Sequence, residues 1–182
     1  ARFGDDASVI FPRQGLQAFP PIRLRNLDGP QGAGAVARKW QDWPADAVFI
    51  DDTGGFGAAW IDNLRLLGRA PIGIGFASSA NDAAKYANKR AEIYFAAVEW
   101  IKAGGALPDR NTPGLAELAA ALTQTTYGFK GDQLLLEPKE QVKAKLGYSP
   151  DDADAFALTF AQPVFRERGR PVDFSRLRRG IV

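Results

Sequence analysis

The chain has 182 residues, enough for one domain of ordinary size with a substantial buried core. Hydrophobic residues make up 46% and charged residues 24%, and no apolar run approaches the roughly 18–20 residues that cross a bilayer, so a soluble globular domain with no membrane partner is expected. Formal charge is +2, from 23 Lys and Arg against 21 Asp and Glu, with an arginine-rich run over 166–179 that suits phosphates, an acidic partner or a solvated tail.

What is missing narrows the chemistry. Without Cys there are no disulfides, thiolate metal sites or thiol nucleophiles, and without His there is no Ser-His-Asp triad and no imidazole ligation. A metal in this chain must be held by carboxylate oxygens, which points to Mg²⁺ or Mn²⁺. Met is absent as well, so the chain reads as a fragment or processed piece.

Residues 7–13 and 22–26 read as short strands joined by a Gly/Pro-containing turn. Residues 30–43 are expected to be helical, and VFID at 48–51 is a short apolar run ending in two carboxylates and a Gly-rich turn. Ile61, Leu64 and Leu67 give 58–67 a helical spacing, and 71–76 reads as a second buried strand. A long helix over 83–103 and a shorter one over 113–123 follow. The segments 125–129 and 133–137 resemble a hairpin turning at Lys130, Gly131 and Asp132. Helices over 138–146 and 150–161 close the chain. This order predicts a mixed α/β sheet with helices on both faces.

Two acidic clusters are the candidate site. Asp51 and Asp52 stand where a buried strand ends, a place where a rigid scaffold meets solvent. Adjacent strand residues face opposite ways, so one of the two enters a given site, and Asp51 is favoured with Asp52 as the alternate. A purely structural role, an Asp accepting backbone N–H groups of the turn, explains the same residues. In the second cluster, SPDDADAFALTFA at 149–161, Ser149 suits an N-cap and Pro150 the first helical position. Asp151, Asp154 and Leu158 share one helix face. Capping accounts for Asp151 and Asp152, but less well for Asp154, one turn in between Ala153 and Ala155. Two such clusters suit a carboxylate-held metal site for phosphodiester hydrolysis.

The remaining motifs are weaker. GGFG at 54–57 and GIGF at 73–76 complete neither a Walker A sequence nor G-x-G-x-x-G, and read as tight turns. Lys89 and Arg90 open an otherwise apolar helix and suit either a solvated face or a nucleic-acid backbone. Lys139, at a helix start, suits a phosphate contact or a surface charge.

Taken in order, ARFGDDASVI, VFIDDTGGFGAAWIDNLRLLG, YANKRAEIYF, LLLEPKEQVKAKLG and SPDDADAFALTFA resemble the C-terminal nuclease domain of large terminase subunits of tailed bacteriophages and prophages. The resemblance covers roughly residues 1–163, leaving 164–182 as a basic tail. It implies an RNase H-like mixed β-sheet between helices and a metal-dependent DNA endonuclease, a hydrolase that cuts concatemeric viral DNA during genome packaging with two Mg²⁺ or Mn²⁺ ions. Asp51 matches the family's second acidic position and Asp154 its third, with Asp151 beside the second metal and Asp52 assisting. Lys139 matches a basic residue before the last helix, and Lys89 and Arg90 are candidate DNA contacts. The family's first-strand Asp precedes an A-R-x-G-x-D stretch; here that stretch begins at Ala1, so the first catalytic Asp is expected to lie outside this chain. The implied partners are double-stranded DNA, the portal, the small terminase subunit and the ATPase domain of the same full-length chain, in the host cytoplasm. A non-catalytic DNA or portal docking module, another RNase H-like nuclease such as a junction resolvase, and a nucleotide-binding domain using GGFG are the other readings.

Overall fold

Short apolar runs interrupted by Pro, Gly and Asn form strands, and the longer amphipathic runs form helices. The computed structural model describes residues 7–55 and 57–165. The arginine-rich run 166–179, and Asp5 and Asp6 near the start, lie outside the described residues.

Strand β1 (Ser8–Ile10) pairs antiparallel with β4 (Ile22–Leu24), and a smaller ladder, β2 (Arg13–Gln14) with β3 (Gln17–Ala18), lies between them in sequence. The expected single strand over 7–13 is thus broken at Phe11 and Pro12. Proline has no N–H to give a ladder, and its carbonyl instead accepts from Phe19 N. Helix α1 (Gly29–Asp42) starts in a capping box: Asp28 accepts from Gln31 N, and Gln31 returns a bond to Asp28 N. Strand β5 (Phe49–Asp51), helix α2 (Ala58–Leu66) and strand β6 (Ile72–Ile74) form a parallel β-α-β unit, with Asp51 opposite Ile74.

Helix α3 (Lys89–Lys102) begins six residues later than the periodicity predicts. Asn88 caps it by accepting from Ala91 N, and the preceding backbone is spent elsewhere: Ala87 N donates to Leu134 O. Helix α4 (Leu115–Gln124) leads to the hairpin of β7 (Tyr127–Lys130) and β8 (Gln133–Leu136), whose turn narrows to Gly131 and Asp132. Helix α5 (Lys139–Leu146) ends at Gly147, in the left-handed conformation that terminates helices, and α6 (Asp151–Leu158) follows. Among the described residues the ladders are four two-stranded pairs, three antiparallel and one parallel. Isolated bridges tie single loop residues to two of the pairs, Tyr86 to Leu134 of β8 and Ala106 to Gln17 of β3.

The main core gathers on α6. Ala153, Phe156 and Ala157 are fully buried, and Phe156 meets Phe11, Trp100 and Phe160 with ring centroids 5.2, 5.7 and 5.3 Å apart. Ile93 and Tyr94 of α3 and Leu118 of α4 complete that layer. Burying one such aromatic side chain contributes about 3 kcal/mol, so the helix carrying Asp154 is anchored by its own sequence. A second, smaller core of Ala33, Val36 and Leu64, with Val48, Ile50 and Trp60 against it, holds β5 to α1 and α2. No helix among the described residues is long and apolar enough to cross a membrane.

Candidate active site

The two acidic clusters meet in space. Asp51, Asp151, Asp154 and Lys139 line one cavity of about 970 Å³. Asp52, Lys89 and Arg90 do not line it.

Asp51 ends β5 and is exposed. Its Oδ1 accepts from Thr53 N at 2.9 Å and from Thr53 Oγ1 at 2.5 Å, and Thr53 Oγ1 in turn accepts from Phe76 N at 2.9 Å. One oxygen therefore does the turn-forming work expected of an Asp before a Gly-rich loop, and the turn fixes the direction of the other. The loop's glycines shape the backbone. Gly54 and Gly55 have φ of 67° and 78°, and a Cβ on Gly57 would lie 2.2 Å from Asp51 O. Asp52 points elsewhere: it sits over Gly73 of β6, with a buried Oδ1 that finds no hydrogen-bond partner.

Asp154 is 6% exposed and is held by three residues from two other helices. Tyr94 of α3 donates its hydroxyl to Oδ1 at 2.6 Å. Arg90 Nε lies 3.5 Å from the same oxygen, and Lys139 Nζ of α5 lies 2.7 Å from Oδ2. No well-directed hydrogen bond reaches Oδ2. Burial pushes the Tyr94 hydroxyl well above its usual pKa, with the Asp154 charge adding to the effect, so Tyr94 stays a donor. For Lys139, burial pulls the pKa down but the charges of Asp154 and Asp151 outweigh it, and the ammonium titrates above its usual range.

Asp151 is shared more widely. Its Oδ1 accepts from Lys139 Nζ at 3.1 Å and Ser149 Oγ at 2.6 Å, and its Oδ2 accepts from Ala7 N at 2.9 Å. Ser149 thus does not cap α6: the charge on Asp151 draws its hydroxyl away from the helix N–H groups, and the helix begins after Pro150 without a side-chain cap. Asp152 pairs with Arg23 at 2.9 Å, tying α6 to β4. Burial raises the Asp152 pKa, and Arg23 offsets part of that rise.

Lys89 and Arg90 are 5% and 8% exposed, so neither lies on a solvated helix face. Lys89 Nζ donates to Glu92 at 2.6 Å, and Arg90 donates to Glu137 O at 2.8 Å while its guanidinium covers the Tyr94 ring. Both charges are compensated internally, as buried charges must be. Sequence reasoning missed Thr53 and Tyr94. An Asp-x-Thr turn was the available signal for Thr53; a helical Tyr amid apolar residues gave none.

The donor set consists of hard carboxylate oxygens, and Asp154 Oδ2, which receives no directed hydrogen bond among the described residues and faces the Lys139 ammonium at 2.7 Å, suits a positive charge such as a hard divalent cation. Among the described residues, no three acidic side chains gather closely enough to hold a metal by themselves.

No protein-family model matches the chain, and no curated protein matches it. Solved structures do. The chain is similar to the nuclease domain of the large terminase subunit of bacterial virus Sf6, with a TM-score of 0.71, 23% identity, and coverage of 90% of this chain and 86% of that one. It is similar to a mutant of that domain with manganese and beta-thujaplicinol (TM-score 0.71, 22% identity, 90% and 86% covered), and to a mutant with calcium (TM-score 0.70, 23% identity, the same coverage). The chain therefore has the fold of a phage large-terminase nuclease domain.

Proposed function

We propose that this chain is the nuclease domain of a large terminase subunit of a phage or prophage, cutting DNA during genome packaging by metal-dependent phosphodiester hydrolysis. The supporting observation is the meeting of Asp51, Asp151, Asp154 and Lys139 at one cavity, in a chain with that fold. Under this reading the sheet is RNase H-like with helices on both faces, residues 1–163 are the nuclease domain, and 164–182 form a basic tail. Asp154 Oδ2 and Asp51 Oδ2 would hold Mg²⁺ or Mn²⁺, with Asp151 assisting a second ion; Asp52, which lies outside the cavity, takes no part. The manganese and calcium named with the Sf6 domains support a divalent cation here. When bound, such ions lower the pKa of water and stabilise the departing 3′ oxygen.

The chain's own residues prepare that chemistry. Tyr94 fixes Asp154 through Oδ1, and Thr53 fixes Asp51 through its Oδ1. Lys139 bridges Asp151 and Asp154, with its ammonium 3.1 Å from one and 2.7 Å from the other, and balances their charge. Double-stranded DNA is the substrate. The portal, the small subunit and the ATPase domain of the longer chain are the partners, and the host cytoplasm is the location.

Cleavage of supercoiled plasmid with Mn²⁺, Mg²⁺ or EDTA, by this chain and by Asp154→Asn, tests the proposal. Metal-dependent cutting that the variant loses supports it. Cutting that survives Asp154→Asn, or that proceeds in EDTA, overturns it.

A further inference from the structure

The cavity is much larger than a phosphodiester and its cations need. At about 970 Å³ it is the size of a site for a whole organic ligand. Away from the carboxylates its wall is aromatic. Three of the chain's four tryptophans, Trp40, Trp43 and Trp60, line it.

Each indole is set by a specific contact. Trp60 stands on the first turn of α2, its backbone N–H bonded to Gly57 O, beside the loop that carries Asp51. Its six-membered ring packs against Gly32 of α1, where a Cβ would lie 2.1 Å from the ring. Trp40 donates its indole N–H to Ala45 O at 3.1 Å, and Trp43 meets Phe19 edge-on at 5.1 Å. All three are half-buried, each leaving part of its surface accessible. Lys39 lies 5.6 Å from the Trp43 ring centre and makes no ion pair among the described residues. The other basic residues of the wall are committed: Lys139 to Asp151 and Asp154, and Arg13 to Thr159 and the Phe160 ring.

A wall that is aromatic, with Lys39 over the Trp43 ring and Arg69 over the Trp40 ring as the cations beside it, suits a base plane and its phosphate better than a run of duplex backbone. Backbone binding takes many cations, whereas every base has a face that stacks on an aromatic ring. We infer that the tryptophan end of the cavity is a nucleobase subsite, in which an unpaired base of the DNA strand stacks against Trp43 or Trp40 while Lys39 meets its phosphate. The inference rests on the nuclease reading. It adds that the preferred substrate is locally unpaired at or next to the cut.

The test uses the full chain in EDTA, so that binding is read without cleavage. The probes are a DNA hairpin with one unpaired 2-aminopurine in a bulge and the same hairpin fully paired. Stacking on an indole quenches the bulged base; the paired base changes little. Because a stacked base contributes on the order of tenfold in affinity, the bulged hairpin is expected to bind about tenfold tighter than the paired one. Trp43→Leu together with Trp40→Leu should abolish the quenching and that preference, and Lys39→Gln, which removes no core volume, should weaken binding of the bulged probe severalfold. Equal binding of both hairpins without quenching overturns the inference, as does quenching that persists in the double tryptophan variant. The plasmid assay separates the two readings. Metal-dependent cutting without quenching leaves the nuclease and removes the subsite; quenching with cutting that survives Asp154→Asn or proceeds in EDTA leaves a base-binding site and removes the nuclease reading.

Discussion

Asp51 and Asp154 reach the same cavity with opposite kinds of support. Asp51 is exposed, and its partner is Thr53, two residues away in its own turn. Asp154 is buried, and its partners Arg90, Tyr94 and Lys139 come from two other helices. A strand end needs only a turn to aim a carboxylate, because solvent carries most of the charge. A buried carboxylate needs neutralising and hydrogen-bonding groups from across the fold, since desolvation otherwise makes its charge costly.

The sharpest way to break the comparison is to remove each carboxylate in turn. Under the proposed function both Asp51→Ala and Asp154→Ala should lower metal-dependent cleavage by about 10²-fold or more, since each would take away a cation ligand. Their stabilities should separate. Asp154→Ala strands Arg90 and Lys139 and should cost about 3–5 kcal/mol in urea unfolding, while Asp51→Ala should cost about 1 kcal/mol or less. Equal losses of stability would show that burial is not what distinguishes the two.

Tyr94→Phe takes one charge-assisted hydrogen bond from Asp154 without opening a cavity. It should destabilise by about 1.5–3 kcal/mol in the same measurement, and weaken Mn²⁺ binding by calorimetry as Asp154 loses its fixed orientation. Unchanged Mn²⁺ affinity would separate the hydroxyl from the site.

The pH dependence of Lys139 sharpens the picture of the buried half. Its pKa is raised in the folded chain from the ordinary 10.5, so its contribution is fully present below that value. It is lost only as pH rises through the higher folded value. The stability difference between the native chain and Lys139→Met should therefore stay flat from pH 6 to about pH 10 and shrink above it. A difference that fades near neutrality would mean that the carboxylates do not hold the ammonium.

The smallest effect belongs to the exposed half. Thr53→Val removes a hydroxyl that bonds Asp51 and Phe76 N, and thermal unfolding should report a loss of about 1 kcal/mol. Thr53→Ser keeps the hydroxyl and should restore most of it.

Much of this organisation was legible in the residues. The capped start of α1, the parallel pair flanking α2, and the hairpin turning at Gly131 and Asp132 all follow from local periodicity and turn chemistry, which act within a few residues. Legibility failed where distant groups compete for a residue. Ser149 reads as a cap until Asp151 takes its hydroxyl, and the residues before Asn88 read as helix until Leu134 takes the backbone N–H of Ala87. Arg90 reads as a solvated charge because nothing local shows that Glu137 O and Asp154 will hold it inside, whereas the partner of Lys89, Glu92, stands one turn on.

The sequence by itself determined the kinds of chemistry open to this chain. Lacking Cys and His, it can offer a metal only hard oxygens, and those stand at a strand end and on a small-residue helix face. Tertiary structure alone decided that Asp51, Asp151, Asp154 and Lys139 share one cavity, that Tyr94, sixty residues away, aims Asp154, and that three tryptophans line the same cavity. Hydrogen bonds between neighbours are written into local spacing. Ion pairs and stacked walls between distant segments come from how the cores on α6 and β5 bring those segments together.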